Sequence, residues 1–197
     1  SSIFVTTTIS KATADREIYK QQFDVVIFDE ASMAYVPQVV FASGLAKSFF
    51  ICIGDFCQLP AIVQNKEKNR LSKDIFEHTG ITDAVENNQG HNWLVMLDVQ
   101  YRMHQDIANF VSQQMYGNRL KTHNKIIESR NEIAACRPCA NSAMAMVDLS
   151  RMYSVCTKTK DNSRINILSA LFCIRVAEIN ITRYEVGIIT PYNAQSR

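Results

Sequence analysis

Phe23-Asp24-Val25-Val26-Ile27-Phe28-Asp29-Glu30-Ala31-Ser32 decides the fold: four consecutive apolar residues run straight into two acidic ones. A strand buried on both faces in a parallel sheet has this pattern. In open α/β sheets, ligands bind in the crevice beyond the carboxyl ends of the strands, which puts Asp29 and Glu30 at its mouth. There an Asp can hold Mg²⁺ while the neighbouring Glu orients or deprotonates an attacking water, two tasks that need two carboxylates. The plainer alternative is that the pair ends a strand and caps a helix starting near Met33. The segment alone does not choose between the two.

A second apolar run, Phe49-Phe50-Ile51-Cys52-Ile53, leads into Gly54-Asp55-Phe56-Cys57-Gln58-Leu59-Pro60. Gly54 permits a tight exit that brings backbone close to a ligand, and Pro60 stops regular structure. The Gln58 amide carries both donors and an acceptor, so it can touch a terminal phosphate and the attacking water together. Its alternative is a loop residue bonded to backbone. A third segment, Leu97-Asp98-Val99-Gln100-Tyr101-Arg102-Met103-His104, precedes an amphipathic helical pattern. Arg102, placed on a second lobe, suits a γ-phosphate reached on lobe closure, because its fork grips phosphate oxygens and stays charged. Such a finger can raise phosphoryl-transfer rates by roughly 10³ to 10⁵. Tyr101 offers a flat ring for a base. A surface salt bridge for Arg102 and core packing for Tyr101 are the alternatives.

Short apolar runs recur through the chain, separated by polar loops or helical patterns, the signature of a parallel sheet with covering helices. Strands are expected at Ile3 to Thr8, Val25 to Asp29, Phe49 to Ile53, Trp93 to Leu97, Ala145 to Leu149 and Glu185 to Thr190. Helices are expected from His104 to Tyr116, on Ile107, Phe110, Val111 and Met115, and from Asn166 to Ile179. The second would bury Ile167, Leu168, Leu171, Phe172, Val176 and Ile179. Polar connectors occupy Gln64 to Arg70, Asn118 to Asn131 and Thr157 to Arg164. The fold class is α/β, with a boundary around Leu97 to Tyr101 between two lobes.

The chain has 197 residues, 47% of them hydrophobic, and a formal charge of +2 from 21 basic and 19 acidic side chains. That balance excludes a broadly basic surface, so any nucleic-acid contact is local. No apolar stretch reaches the ~20 residues of a membrane span, and residues 1–10 lack a signal-peptide pattern, so an intracellular protein without membrane contact is expected. The six cysteines, Cys52 and Cys57 among them, are read as reduced thiols.

Asp29-Glu30-Ala31-Ser32, Gly54-Asp55-x-x-Gln58-Leu59-Pro60 and Gln100-Tyr101-Arg102-Met103, in that order, closely resemble motifs II, III and IV of superfamily 1 helicases of the 1B division. The likeness is greatest to the group of the nonsense-mediated-decay RNA helicase and its bacterial relatives. Val5-Thr6-Thr7-Thr8 resembles that family's nucleic-acid-contacting strand end, and Leu71-Ser72-Lys73-Asp74-Ile75-Phe76-Glu77 its connector helix. Ser163-Arg164-Ile165-Asn166 and Gly187-Ile188-Ile189-Thr190-Pro191-Tyr192-Asn193-Ala194-Gln195 resemble its second-lobe segments. The resemblance implies RecA-like parallel sheets with flanking helices in parts of two lobes, residues 1–97 and 98–197. It implies ATP and Mg²⁺ as cofactors, with Asp29 on Mg²⁺, Glu30 activating water, Gln58 sensing the γ-phosphate, Tyr101 bordering adenine and Arg102 as the finger. Thr7, Thr8, Pro191 and Tyr192 would lie near single-stranded RNA or DNA, and regulatory protein partners are compatible with it.

The family also needs a Gly-rich loop ending in Gly-Lys-Ser or Gly-Lys-Thr, and none of the 6 glycines is followed by Lys. A middle piece of a longer protein is therefore expected, one that alone binds ATP weakly and does not unwind. The function implied is an ATP-dependent translocase; the alternatives are a non-translocating ATPase switch and a catalytically silent binding module.

Other features weigh less. Cys136-Arg137-Pro138-Cys139 has the spacing of half a zinc site, but His123 and Cys156 would complete it only by folding back, so free thiols are favoured. His104 is read as a cap or phosphate-side polar group. Core packing is favoured over base stacking for Trp93, Phe49 and Phe50, and a solvated loop over phosphate contact for Lys158, Lys160 and Arg164.

Overall fold

The apolar run that opened the sequence folds as strand β1, Phe23–Phe28, and pairs in parallel with β2, Ala46–Cys52. The register sets Val26 beside Phe50 and Phe28 beside Cys52. A parallel pair needs a crossover, and α3, Val36–Ser43, supplies it with Pro37 in its first turn, where the missing N–H costs nothing. The computed structural model describes residues 4–63, 72–129, 132, 134, 137–139 and 141–196. The chain divides into two compact units between Met96 and Leu97.

In the first unit, α1, Ile9–Ala14, and α2, Arg16–Tyr19, precede β1 and are capped by the side chains of Thr8 and Asp15. After β2, Asp74 caps α4, Ile75–His78, and Gly80, at φ 75°, turns the chain into α5, Ile81–Glu86. Ala31, Phe76, Ile81 and Val85 form the buried core, and Phe28, Cys52, Phe56 and Leu94 pack against it. This core lies at the carboxyl end of the strand pair.

Among the described residues, one face of that pair is covered. Val26, Phe28, Phe50 and Cys52 are half-buried, whereas Val25, Ile27, Phe49 and Ile51 alternate onto an exposed face. The expectation of burial on both faces is corrected here: among the described residues β1 and β2 pair only with each other, and nothing covers the second face. Core packing fails for Phe49, 66% exposed, and for Trp93, 78% exposed, which makes a T-shaped ring contact with His91. Phe50 does pack, edge-on against Phe28 at 6.5 Å.

In the second unit β3, Val99–Gln100, pairs in parallel with β4, Lys121–Thr122, across α6, Gln105–Met115. α7, Asn124–Ser129, follows β4 directly. β5, Thr157–Lys158, and β6, Arg164–Ile165, form an antiparallel hairpin that leads into α8, Ile167–Asn180. Two expected connectors thus carry structure: 118–131 holds β4 and α7, and 157–164 is a hairpin. The connector at 64–70 lies outside the described residues.

Four expected strands do not form: residues 4–8, 93–97, 145–149 and 185–190 are irregular. A strand exists only by pairing, and these runs meet no partner strand among the described residues. Both expected helices form within two residues of their expected ends, but their buried faces are narrower. Ala108 and Ser112 are the buried positions of α6, while Phe110 and Met115 are exposed. On α8, Leu168, Phe172 and Val176 are half-buried, and Ile167, Leu171 and Ile179 are exposed. No described helix is long and apolar enough to cross a membrane.

Candidate functional site

The carboxyl ends of β1 and β2 are laced together. Ile53 N–H donates to Phe28 O at 2.8 Å, and Ala31 N–H donates to Ile53 O at 2.8 Å. The Asp29-Glu30 step and the Gly54 loop therefore leave adjacent strand ends. Asp29 and Glu30 are both exposed. Asp29 Oδ1 accepts from Glu30 N at 3.0 Å, and Glu30 sits at φ 54°, ψ 40°, the left-handed region. Holding a residue with a Cβ there costs about 1–3 kcal/mol, and such strain gathers at functional sites. Glu30 also precedes the short 3₁₀ turn Ala31–Met33, without capping it by its side chain. The capping alternative thus lacks its hydrogen bond.

Gly54 lets two stretches of backbone approach closely. A Cβ there would lie 3.0 Å from Ser32 N, 3.0 Å from Phe76 Cε2 and 3.1 Å from Ala31 N. The missing side chain lets the second loop press on the backbone just after Glu30. Beyond it Asp55 organises the loop: Oδ1 accepts from Cys57 N at 3.0 Å and Oδ2 from Gln58 Nε2 at 2.8 Å. Gln58 stays exposed with one amide hydrogen committed to Asp55. Asp55 escaped the sequence reading as a site residue, although an Asp bonding the backbone two residues on is a recognisable turn signal. Burial beside these loops pushes the Cys52 thiol pKa up.

In the second unit, Gln100 performs the corresponding task. Its Oε1 accepts from Arg102 N and Met103 N, both at 2.7 Å. Its Nε2 donates to Met103 O and Thr122 Oγ1, both at 2.9 Å. The turn carrying Tyr101 and Arg102 is thus closed by the preceding side chain, whose role had not been foreseen. Arg102 is exposed and, among the described residues, has no ion pair. Tyr101 is 60% exposed and stacks on His123, with ring centroids 4.5 Å apart. Among the described residues, then, Arg102 shows no salt bridge and Tyr101 is not buried in a core. His104 is the cap of α6, its Nδ1 accepting from Asp106 N at 3.1 Å.

Of the remaining expected contacts, Thr8 caps α1 through Lys11 N at 3.3 Å, and Thr7 Oγ1 donates to Thr8 O at 3.4 Å. Pro191 and Tyr192 are exposed in a turn whose end is tied back. Asn166 N donates to Gln195 Oε1 at 2.7 Å, Gln195 Nε2 donates to Asn166 O at 3.0 Å, and Ala194 N donates to Ser163 Oγ at 3.1 Å. The segments 163–166 and 187–195, distant in sequence, are thereby brought together. Lys158, Lys160 and Arg164 are exposed, as a solvated loop requires. Cys136 lies outside the described residues, while Cys52, Cys139, Cys156 and Cys173 are free thiols.

The donor set at the β1 end suits Mg²⁺, a hard cation usually held by one or two carboxylates together with substrate phosphates. No group of three metal-ligating side chains gathers among the described residues, and such a site does not call for one.

Comparison with known proteins agrees along both stretches. Family models described as AAA domain match residues 1–66 and residues 76–197. The DNA replication ATP-dependent helicase/nuclease dna2 of Schizosaccharomyces pombe is 32% identical over 200 residues, covering 89% of this chain and 14% of the relative. The ATP-dependent helicase upf1 of the same yeast is 27% identical over 189 residues, covering 92% of this chain and 19% of the relative. The 3'-5' exoribonuclease HELZ2 of Mus musculus is 28% identical over 187 residues, covering 87% and 6%. The chain spans less than a fifth of the length of each of these three. The matches take in all three motif segments, and the chain belongs to the superfamily 1 helicases, in the group of upf1.

Proposed function

We propose that the protein containing this chain is an ATP-dependent helicase that moves along single-stranded RNA or DNA inside the cell, in cytoplasm or nucleus. The observation that carries the reading is Asp29-Glu30 at the end of a parallel strand, with Glu30 in a left-handed backbone conformation beside the loop that Asp55 ties to Gln58.

In this reading the chain belongs to RecA-like lobes and supplies part of an ATP site. Asp29 would hold Mg²⁺, which when bound would neutralise charge on the phosphates. Glu30 takes the proton of the attacking water. Two adjacent carboxylates allow one to serve as ligand and the other as base. Gln58, with its remaining amide hydrogen and its carbonyl oxygen, registers the terminal phosphate and orients the water. Arg102, exposed on a turn fixed by Gln100 and without an ion pair among the described residues, is assigned as the phosphate-directed finger. Tyr101 offers its ring to adenine. Thr7, Thr8, Pro191 and Tyr192 are assigned to the nucleic acid, and the tie between Asn166 and Gln195 supports the last two.

Glu30→Gln in the full-length protein tests the central assignment, since it keeps the shape and removes the base. ATP affinity is expected within about twofold of wild type while turnover falls by about 10² or more, the scale of a lost general base. Undiminished turnover would remove Glu30 from the chemistry and leave the pair as a strand terminus.

A further inference from the structure

The partner of Tyr101 is not a chance neighbour. β3 and β4 run in parallel register, Val99 beside Lys121 and Gln100 beside Thr122, so Tyr101 and His123 are the next pair along. His123 N–H donates to Gln100 O at 3.1 Å, and Gln100 Nε2 donates to Thr122 Oγ1 at 2.9 Å. The backbones on either side of the stack are therefore fixed. The imidazole is fixed too, because its Nδ1 accepts from Lys125 N at 3.2 Å in the first turn of α7. The two rings lie 4.5 Å apart with 27° between their planes. His123 stacks on the phenol ring, yet Tyr101 remains 60% exposed.

We infer that His123 is a positioning residue whose anchored imidazole holds the Tyr101 ring in the plane on which the base of ATP stacks. The inference rests on the assignment of Tyr101 to adenine. A phenol ring on a flexible turn loses rotamer freedom when a base lands on it; a ring already stacked on an anchored imidazole has lost that freedom beforehand. The result is an ordered stack of imidazole, phenol and base, in which His123 never touches the nucleotide.

The stack and the cap can be separated. In the full-length protein, His123→Asn keeps an acceptor for the first turn of α7 but removes the ring, since Asn is a good helix cap. His123→Phe keeps a ring and removes the acceptor. Steady-state ATP hydrolysis is measured for both and for Tyr101→Ala. His123→Asn is expected to raise KM for ATP by about three- to tenfold, the scale of one aromatic contact, with kcat changed by less than about twofold. His123→Phe is expected to retain a KM close to wild type, and Tyr101→Ala to raise KM at least as much as His123→Asn. A raised KM in Tyr101→Ala with an unchanged one in His123→Asn overturns the role of His123 and leaves the base contact standing. Equal rises in His123→Asn and His123→Phe overturn it as well, assigning the effect to local folding. An unchanged KM in Tyr101→Ala removes the base contact itself, and the inference falls with it.

Discussion

At the scale of single residues, the site depends on backbone geometry as much as on functional groups. Glu30 at φ 54° is held in a costly conformation because the next residue is already bonded across to the residue that follows β2, Ala31 N–H to Ile53 O. Gly54 completes that junction by having no side chain where Ser32 N and Phe76 Cε2 would each lie 3.0 Å from a Cβ. Two of its three near neighbours are backbone nitrogens, which cannot move aside as the end of a flexible side chain can. Gly54→Ala is therefore expected to destabilise the protein by about 1–3 kcal/mol, the usual range for forcing an atom into a filled space. Urea unfolding measures it, and a midpoint equal to that of wild type would show that the junction yields.

Elements differ in how far the sequence alone discloses them, and the reason is where their hydrogen bonds close. α6 and α8 close theirs internally, and their caps, His104 and Asn166, stand beside them in sequence, so both were legible within two residues. β1 and β2 were legible because each is the other's partner. The runs at 93–97, 145–149 and 185–190 are also rich in apolar residues but have no partner strand among the described residues, and composition could not disclose that. The same distinction separates the site residues. Asp29, Glu30, Gln58 and Arg102 stand out by residue type at strand ends and turns. Asp55, Gln100 and His123 act through bonds that only the folded chain displays. Caps belong to the legible class and can be weighed. Asp74 is 8% exposed, and its Oδ1 accepts from Phe76 N at 2.8 Å and Glu77 N at 2.9 Å, holding α4 where Phe76 joins the core. Asp74→Ala is expected to lower stability by about 1–2 kcal/mol and Asp74→Asn by clearly less, because Asn caps nearly as well. Thermal unfolding of the pair decides; equal losses would mean that charge, not capping, is what the helix uses.

On the scale of the whole molecule, charge limits how nucleic acid can be held. With 21 basic and 19 acidic side chains this chain is nearly balanced in charge, and the proposed contacts are a few placed residues such as Thr7, Thr8 and Tyr192. Affinity dominated by phosphate neutralisation falls steeply with salt, roughly as the −0.7Z power for Z phosphates on a single strand. A protein that grips mainly through hydroxyls and a ring loses less. Such a grip can be released and remade with each ATP turnover, as movement along a strand requires, whereas a switch needs only to bind and let go. The two are separated by strand displacement with ATP, using the full-length protein and duplexes carrying a 5′ or a 3′ single-stranded tail. The translocase reading expects displacement on one of the two tails, at a rate abolished together with hydrolysis in Glu30→Gln. Hydrolysis stimulated by single strands, with no displacement from either tail, would identify the protein as a switch that keeps the same carboxylate pair and the same chemistry without the motion.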